Sequence, residues 1–194
     1  AHHHIIIKDR RDTFYGHKIC LTTGASGLVM ALVEPHFRNL AGPPSLASCT
    51  RDVYEAGTAF TLGAVIRLAM GVASAARQLH ERGISHGDLY AHNILHSEAG
   101  DALLGDFGAA SFFAPGDVPL ALALQRLEVR AFSCLLEELL ARCSPPPLVQ
   151  EAPERQATRQ MLADLQAACA HDNTAARPLF ADIEQRLASC RQGG

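Results

Sequence analysis

The apolar positions of this chain follow two patterns: short aliphatic runs near its start and helix-spaced stripes further on. Ile5-Ile6-Ile7, Lys18-Ile19-Cys20-Leu21 and Leu28-Val29-Met30-Ala31-Leu32-Val33 read as strands, with Gly24-Ala25-Ser26-Gly27 as the turn before the third. Arg38 to Tyr54, holding Gly42-Pro43-Pro44 and several Ser and Thr, reads as a loop or an irregular helix start. From Thr61 to Arg82, positions 62, 65, 66, 68, 69, 72, 73, 76 and 79 are apolar at helical spacing, and Gly83 is placed to end that helix. Ala109 to Pro119 is a loop with two prolines, and a strongly apolar helix follows over Leu120 to Arg142. Ser144-Pro145-Pro146-Pro147 breaks it, because proline lacks the N–H a helix interior needs. Two more helices are expected near Gln156 to Ala170 and Leu179 to Ser189, ahead of a frayed Arg191-Gln192-Gly193-Gly194 tail. Strands first and helices after predict an α+β fold.

Composition narrows the class. At 194 residues the chain is expected to be one domain with a sizeable core, and 48% hydrophobic against 19% charged residues describes a globular protein. A net charge of -3 gives no electrostatic case for nucleic acid or an anionic membrane. Cys20, Cys49, Cys134, Cys143, Cys169 and Cys190 are scattered without CxxC spacing, which favours reduced thiols in a cytoplasm over disulfides or zinc. Neither a membrane-spanning run nor a signal peptide is expected. Ala1-His2-His3-His4 is assigned no metal.

The chemistry concentrates in His86-Gly87-Asp88-Leu89-Tyr90-Ala91-His92-Asn93-Ile94-Leu95 and in Asp106-Phe107-Gly108. Asp88 precedes Asn93 by five positions, and Asn93 precedes Asp106 by thirteen. Alone, Asp-Phe-Gly is usually a turn, and a lone His86 is usually a satisfied core histidine. Together, two acids and an amide on loops between apolar segments suit magnesium and a phosphoryl group. Ile94-Leu95 and Leu103-Leu104 predict a hairpin, expected to present Asn93 and Asp106 at opposite ends.

On these motifs the chain resembles the protein-kinase-like superfamily, over about residues 28 to 190. Residues 39 to 133 resemble in wording the bacterial kinase-like domains that can follow leucine-rich repeats, although no such repeat occurs here. The resemblance implies mostly the helical C-terminal lobe (35–194), with 1–34 as a remnant of the small lobe and hinge strand. It implies ATP and Mg2+ as cofactors. Asp88 would orient or deprotonate the acceptor hydroxyl, Asn93 and Asp106 would hold magnesium, and backbone groups at Leu32, Val33 and Glu34 would face adenine. Glu128 resembles the acid that accepts hydrogen bonds from the catalytic-loop backbone, and Arg177-Pro178 resembles the late-lobe Arg-Pro motif, here without an Ala-Pro-Glu partner.

Several positions depart from the pattern. Gly87 replaces the Arg that reads activation-loop phosphate, so control by such phosphorylation is not expected. Tyr90 replaces a phosphate-contacting Lys and brings no positive charge near neutral pH. The segment after Gly108 is short for a peptide ledge, and small-molecule phosphotransferases also use His-Gly-Asp. No GxGxxG precedes residue 28, and although Lys8 superficially resembles the kinase strand lysine, no Glu between Lys8 and Glu34 is available to pair with it. Nineteen residues separate Lys8 from Leu28, fewer than the roughly 28 needed for a helix, a strand and three connections.

The leading expectation is an ATP-dependent phosphotransferase of the serine/threonine protein kinase type, acting on a protein or small-molecule hydroxyl. The alternatives are a non-catalytic pseudokinase-like binding module and a small-molecule kinase. A partner chain covering the reduced small lobe is a further expectation, since open sheet edges invite pairing.

Overall fold

A computed structural model of the chain describes residues 19–24, 27–33, 35–47, 51–143 and 152–190. Strands β1 (Ile19–Gly24) and β2 (Gly27–Leu32) form an antiparallel hairpin in the register Ile19↔Leu32 to Gly24↔Gly27. They match the second and third strands expected from the sequence. The expected strand at Ile5-Ile6-Ile7, the residues Ala25 and Ser26 of the turn, and the tail lie outside the described residues.

Next comes β3 (Arg38–Asn39), which pairs with a later strand, and a loop pinned where Gly42 and Val53 exchange both backbone hydrogen bonds. Of the two expectations for this segment, the loop is the one found, and no helix starts here among the described residues. The residues preceding Pro43 and Pro44 are biased away from helical toward extended backbone, so the segment does not start a helix.

Helix α1 (Leu62–Glu81) begins where Thr61 Oγ1 accepts the Ala64 N–H at 3.2 Å, and its apolar stripe is buried as the spacing predicts. Gly83 closes it at φ +70°, and a Cβ there would stand 2.5 Å from the Phe113 carbonyl oxygen. Only glycine fits that corner. The chain then makes β4 (Ile84–Ser85), β5 (Ile94–His96), β6 (Ala102–Leu104) and β7 (Ser111–Phe112). They assemble as a β3-β5-β6 sheet and a β4-β7 ribbon, antiparallel throughout.

Helix α2 (Val118–Ala141) starts two residues before the expected Leu120, because Asp117 Oδ1 caps the Leu120 N–H at 3.4 Å. Pro119 therefore belongs to the first helical turn and not to the preceding loop; at that position its missing N–H costs nothing. Helices α3 (Pro153–Cys169) and α4 (Phe180–Cys190) follow near their expected positions.

The four helices pack on one another, α1 against α4 and α2 against α3. Leu68, Phe132, Leu136, Leu139, Leu162, Phe180, Ile183 and Leu187 are fully buried between them. Each such side chain contributes about 1.5–3 kcal/mol, so the helical lobe carries a core of its own beneath the short strands. Among the described residues no helix is long and apolar enough to cross a membrane.

Candidate active site

The loop 86–93 and the loop 105–110 are held at both sides. On one side β4 pairs with β7, and on the other β5 pairs with β6. In the β5–β6 register Ile94 faces Leu104, and the Gly105 N–H donates to the Asn93 carbonyl at 2.8 Å. Asn93 precedes the first strand and Asp106 follows the second, so both stand at the same, open end of the hairpin. The expected placement at opposite ends is thereby overturned, since antiparallel strands bring entry and exit together.

Asp88 is half-buried, and Asn93 is buried beside it. The Asn93 Nδ2 donates to the Asp88 carbonyl at 2.9 Å and to Asp88 Oδ2 at 2.8 Å. Both donors of the amide thus face Asp88, and its oxygen remains as the group that can meet a cation. Asp106 is exposed and sits in the left-handed region at φ 55°, with Oδ1 accepting the Gly108 N–H at 3.2 Å. A non-glycine residue in that conformation costs of order 1–3 kcal/mol and is typical of functional sites.

Behind these groups lies a buried scaffold. His86 is fully buried; its Nδ1 accepts the Asp88 N–H at 3.4 Å and its Nε2 donates to the Gly105 carbonyl at 2.9 Å. Burial holds its pKa below the ordinary 6.5, outweighing the hydrogen bond to Gly105, so the ring that ties the two loops is neutral. Phe107 packs edge-on against it, the ring centres 4.7 Å apart. His86 is thus the satisfied core histidine of the conservative reading, while the loop it braces carries the chemistry.

Gly87 has φ +77°, and a Cβ there would lie 2.4 Å from the Ala109 carbonyl oxygen. An arginine at this position is therefore excluded by the close approach of the second loop. The Gly87 N–H donates to Glu128 Oε1 at 2.6 Å, and His80 Nε2 donates to Glu128 Oε2. Burial alone would raise the Glu128 pKa, but the bonds from His80 and Gly87 prevail and hold it below its usual value. The anchoring acid expected at Glu128 is in place, one methylene longer than the usual aspartate. Arg177, whose partner the sequence left open, donates to the carbonyls of His171 at 2.8 Å and Arg126 at 3.1 Å.

Of the residues expected at adenine, Leu32 ends β2 and Val33 follows it half-buried, while Glu34 lies outside the described residues. Sequence reasoning missed two neighbours of the site, Asp52 and His92. Asp52 is buried and binds His92 twice, accepting its backbone N–H at 3.0 Å and pairing with Nδ1 at 2.7 Å. Forty residues separate them, and no spacing rule links a loop acid to a histidine so far away.

Among the described residues no three His, Cys, Asp or Glu side chains cluster as a metal site. Two oxygen ligands completed by phosphates and water are the usual protein share for Mg2+, and the Asn93 amide oxygen with the Asp106 carboxylate fits that donor chemistry.

The model of the lipopolysaccharide kinase (Kdo/WaaP) family matches residues 37–109, less than half of the chain. The matched stretch runs from the approach to β3 through the Asp106-Phe107-Gly108 turn, and includes Asp52, Asp88, His92 and Asn93. No curated protein matches the chain. The fold is α+β and kinase-like, and among the described residues an antiparallel β-hairpin precedes the helical lobe.

Proposed function

We propose that this chain is an ATP-dependent phosphotransferase whose acceptor is a hydroxyl of a sugar or glycolipid. One observation carries the reading: the β5–β6 hairpin brings Asn93 and Asp106 to one end, where Asn93 is hydrogen-bonded to Asp88. Asp88 orients the acceptor hydroxyl and takes its proton, a role typically contributing about 10² to 10⁴-fold. Asn93 holds Asp88 through its nitrogen and offers its oxygen to magnesium; Asp106 offers its exposed carboxylate from the opposite loop. Magnesium-ATP, when bound, supplies the transferred phosphoryl group and neutralises its developing charge.

The acceptor class departs from the protein side chain first expected. The short segment between Gly108 and α2, the Tyr90 position and the partial match to a lipopolysaccharide kinase family all favour a carbohydrate hydroxyl. Residues 1–34 then belong to the small lobe and hinge, and 35–194 serve as the catalytic lobe. Reduced cysteines and a need for ATP suit a bacterial cytoplasm.

A thermal melt with and without magnesium-ATP tests the site. Nucleotide at about 100 times its dissociation constant stabilises the fold by roughly 2.7 kcal/mol. The expected result is an upward shift that requires magnesium and is lost in Asp106→Asn. A folded wild-type chain that shows no shift would instead support a non-catalytic binding module.

A further inference from the structure

Asp52 is held rigidly for a loop residue. Its neighbours Arg51 and Tyr54 are clamped to the end of α2: Arg51 Nη2 donates to Glu137 at 2.9 Å, and the Tyr54 hydroxyl donates to Glu138 at 3.1 Å. The Arg142 guanidinium lies 3.7 Å above the Tyr54 ring. The Asp52 side chain, only 2% exposed, is directed from this clamp at His92. One carboxylate oxygen takes the His92 backbone N–H and the other takes the ring, so the Nδ1 edge must carry the hydrogen.

The Tyr90 ring lies parallel to the His92 ring, 13° between planes and 5.9 Å between centres. Backbone, one ring edge and one ring face of His92 are therefore fixed by separate contacts. The remaining edge, Nε2, faces Asp88 Oδ2 at 3.9 Å. That distance is too long for a hydrogen bond and lies beyond van der Waals contact, so the ring edge acts on Asp88 through electrostatics. The same Oδ2 accepts from Asn93 Nδ2, which leaves Oδ1 as the oxygen of Asp88 that Asn93 does not engage.

A carboxylate needed only to staple the loop would be satisfied by the backbone N–H. We propose that Asp52 and His92 act together as positioning residues for Asp88, fixing its rotamer so that Oδ1 is presented to the acceptor hydroxyl. This rests on the phosphotransfer reading above, and it adds two residues to that site.

The test is paired. His92→Asn retains an amide N–H for Asp52 near the Nδ1 position but removes the edge facing Asp88. Turnover of magnesium-ATP with water as acceptor is expected to lose on the order of 10²-fold in kcat, the scale of a 1 Å misplacement, with KM for ATP and the melting temperature unchanged. Asp52→Asn should act in the same direction, and the double variant should be no worse than the poorer single one, as expected of residues acting as a unit. Wild-type kcat in His92→Asn would overturn the proposal and leave Asp52 as a staple. Independently of turnover, the ring-nitrogen NMR signals of His92 should move in Asp88→Asn; unmoved signals would also overturn it. A wild-type chain without ATP turnover would sink the phosphotransfer reading, while the NMR result would still decide whether His92 is coupled to Asp88.

Discussion

Glu128, in the middle of α2, accepts the Gly87 N–H through one carboxylate oxygen while the other receives His80 from α1. This single side chain ties two helices to the loop that carries Asp88, and it is only 5% exposed. The loop's position is thus set from beneath by the helical core as well as by the short strands at its sides. The other ring nitrogen of His80, Nδ1, is buried without a hydrogen-bond partner, so the Glu128 bond is the ring's polar anchor.

Glu128→Ala leaves both donors unpaired in a buried place and should cost about 3–5 kcal/mol of folding stability, measured by chemical denaturation at neutral pH. Glu128→Gln keeps an oxygen for Gly87 and should cost less, about 1–3 kcal/mol. The folded pKa of Glu128 is depressed below its ordinary 4.5, so its stabilising effect is full above that value and drains as pH falls beneath it. The gap between wild type and Glu128→Gln should accordingly narrow between pH 7 and about pH 3.

Gly87→Ala tests the close approach of the two loops. A Cβ would meet the Ala109 carbonyl oxygen at 2.4 Å and would impose φ +77° on a non-glycine residue. A loss of at least about 1–3 kcal/mol is expected from backbone strain, and the two loops must separate to relieve the contact. A lower melting temperature together with weakened magnesium-ATP binding would show both effects; an unchanged melt would contradict the geometry.

How far the sequence reveals this arrangement depends on the range of each interaction. The α1 helix, its Thr61 start and its Gly83 end are legible because periodicity and capping are local. The Asp88, Asn93 and Asp106 trio is legible as a motif, yet its geometry is not, because hairpin topology and not strand content decides which ends meet. Pro119 reads as loop in the sequence, yet a proline that breaks a helix interior is acceptable in a first turn. Asp52 and His92 left no signal, since their contact depends on how Arg51 and Tyr54 dock on α2, a tertiary event.

Stability should fall as the medium is acidified through the ordinary histidine range. Burial lowers the pKa of both His86 and His96, so the unfolded chain binds protons near pH 6.5 that the folded chain refuses. The unfolded state then holds more protons, and unfolding free energy must rise with pH in that window, by at most about 1.4 kcal/mol per pH unit per group. Denaturation at pH 5.5 and 7.5 measures the slope. His86→Gln and His96→Gln should each remove part of it.

Cys169 is fully buried in the helical core, and burial pushes its thiol pKa up to about 12. The thiolate is the reactive form, so the native chain should leave Cys169 unmodified by an alkylating reagent at neutral pH. Peptide mapping after brief labelling should find it protected, and labelling in denaturant should find it fully modified. Modification under native conditions would indicate that α3 opens locally.

Asp88 and Asp106 should separate chemistry from binding. Asp88→Asn keeps the shape beside Asn93 but removes the base, so turnover should fall by about 10² to 10⁴-fold while the magnesium-dependent melt shift persists. Asp106→Asn removes a cation ligand from the exposed loop and should abolish the shift itself, with turnover lost as a consequence. Asn93 lies between them, hydrogen-bonded to Asp88 and sharing the hairpin's open end with Asp106. Asn93→Ala should therefore impair both readouts, because one side chain serves the base through its nitrogen and the metal through its oxygen. If Asn93→Ala reproduced only the Asp88→Asn behaviour, its oxygen would have no share in the cation site.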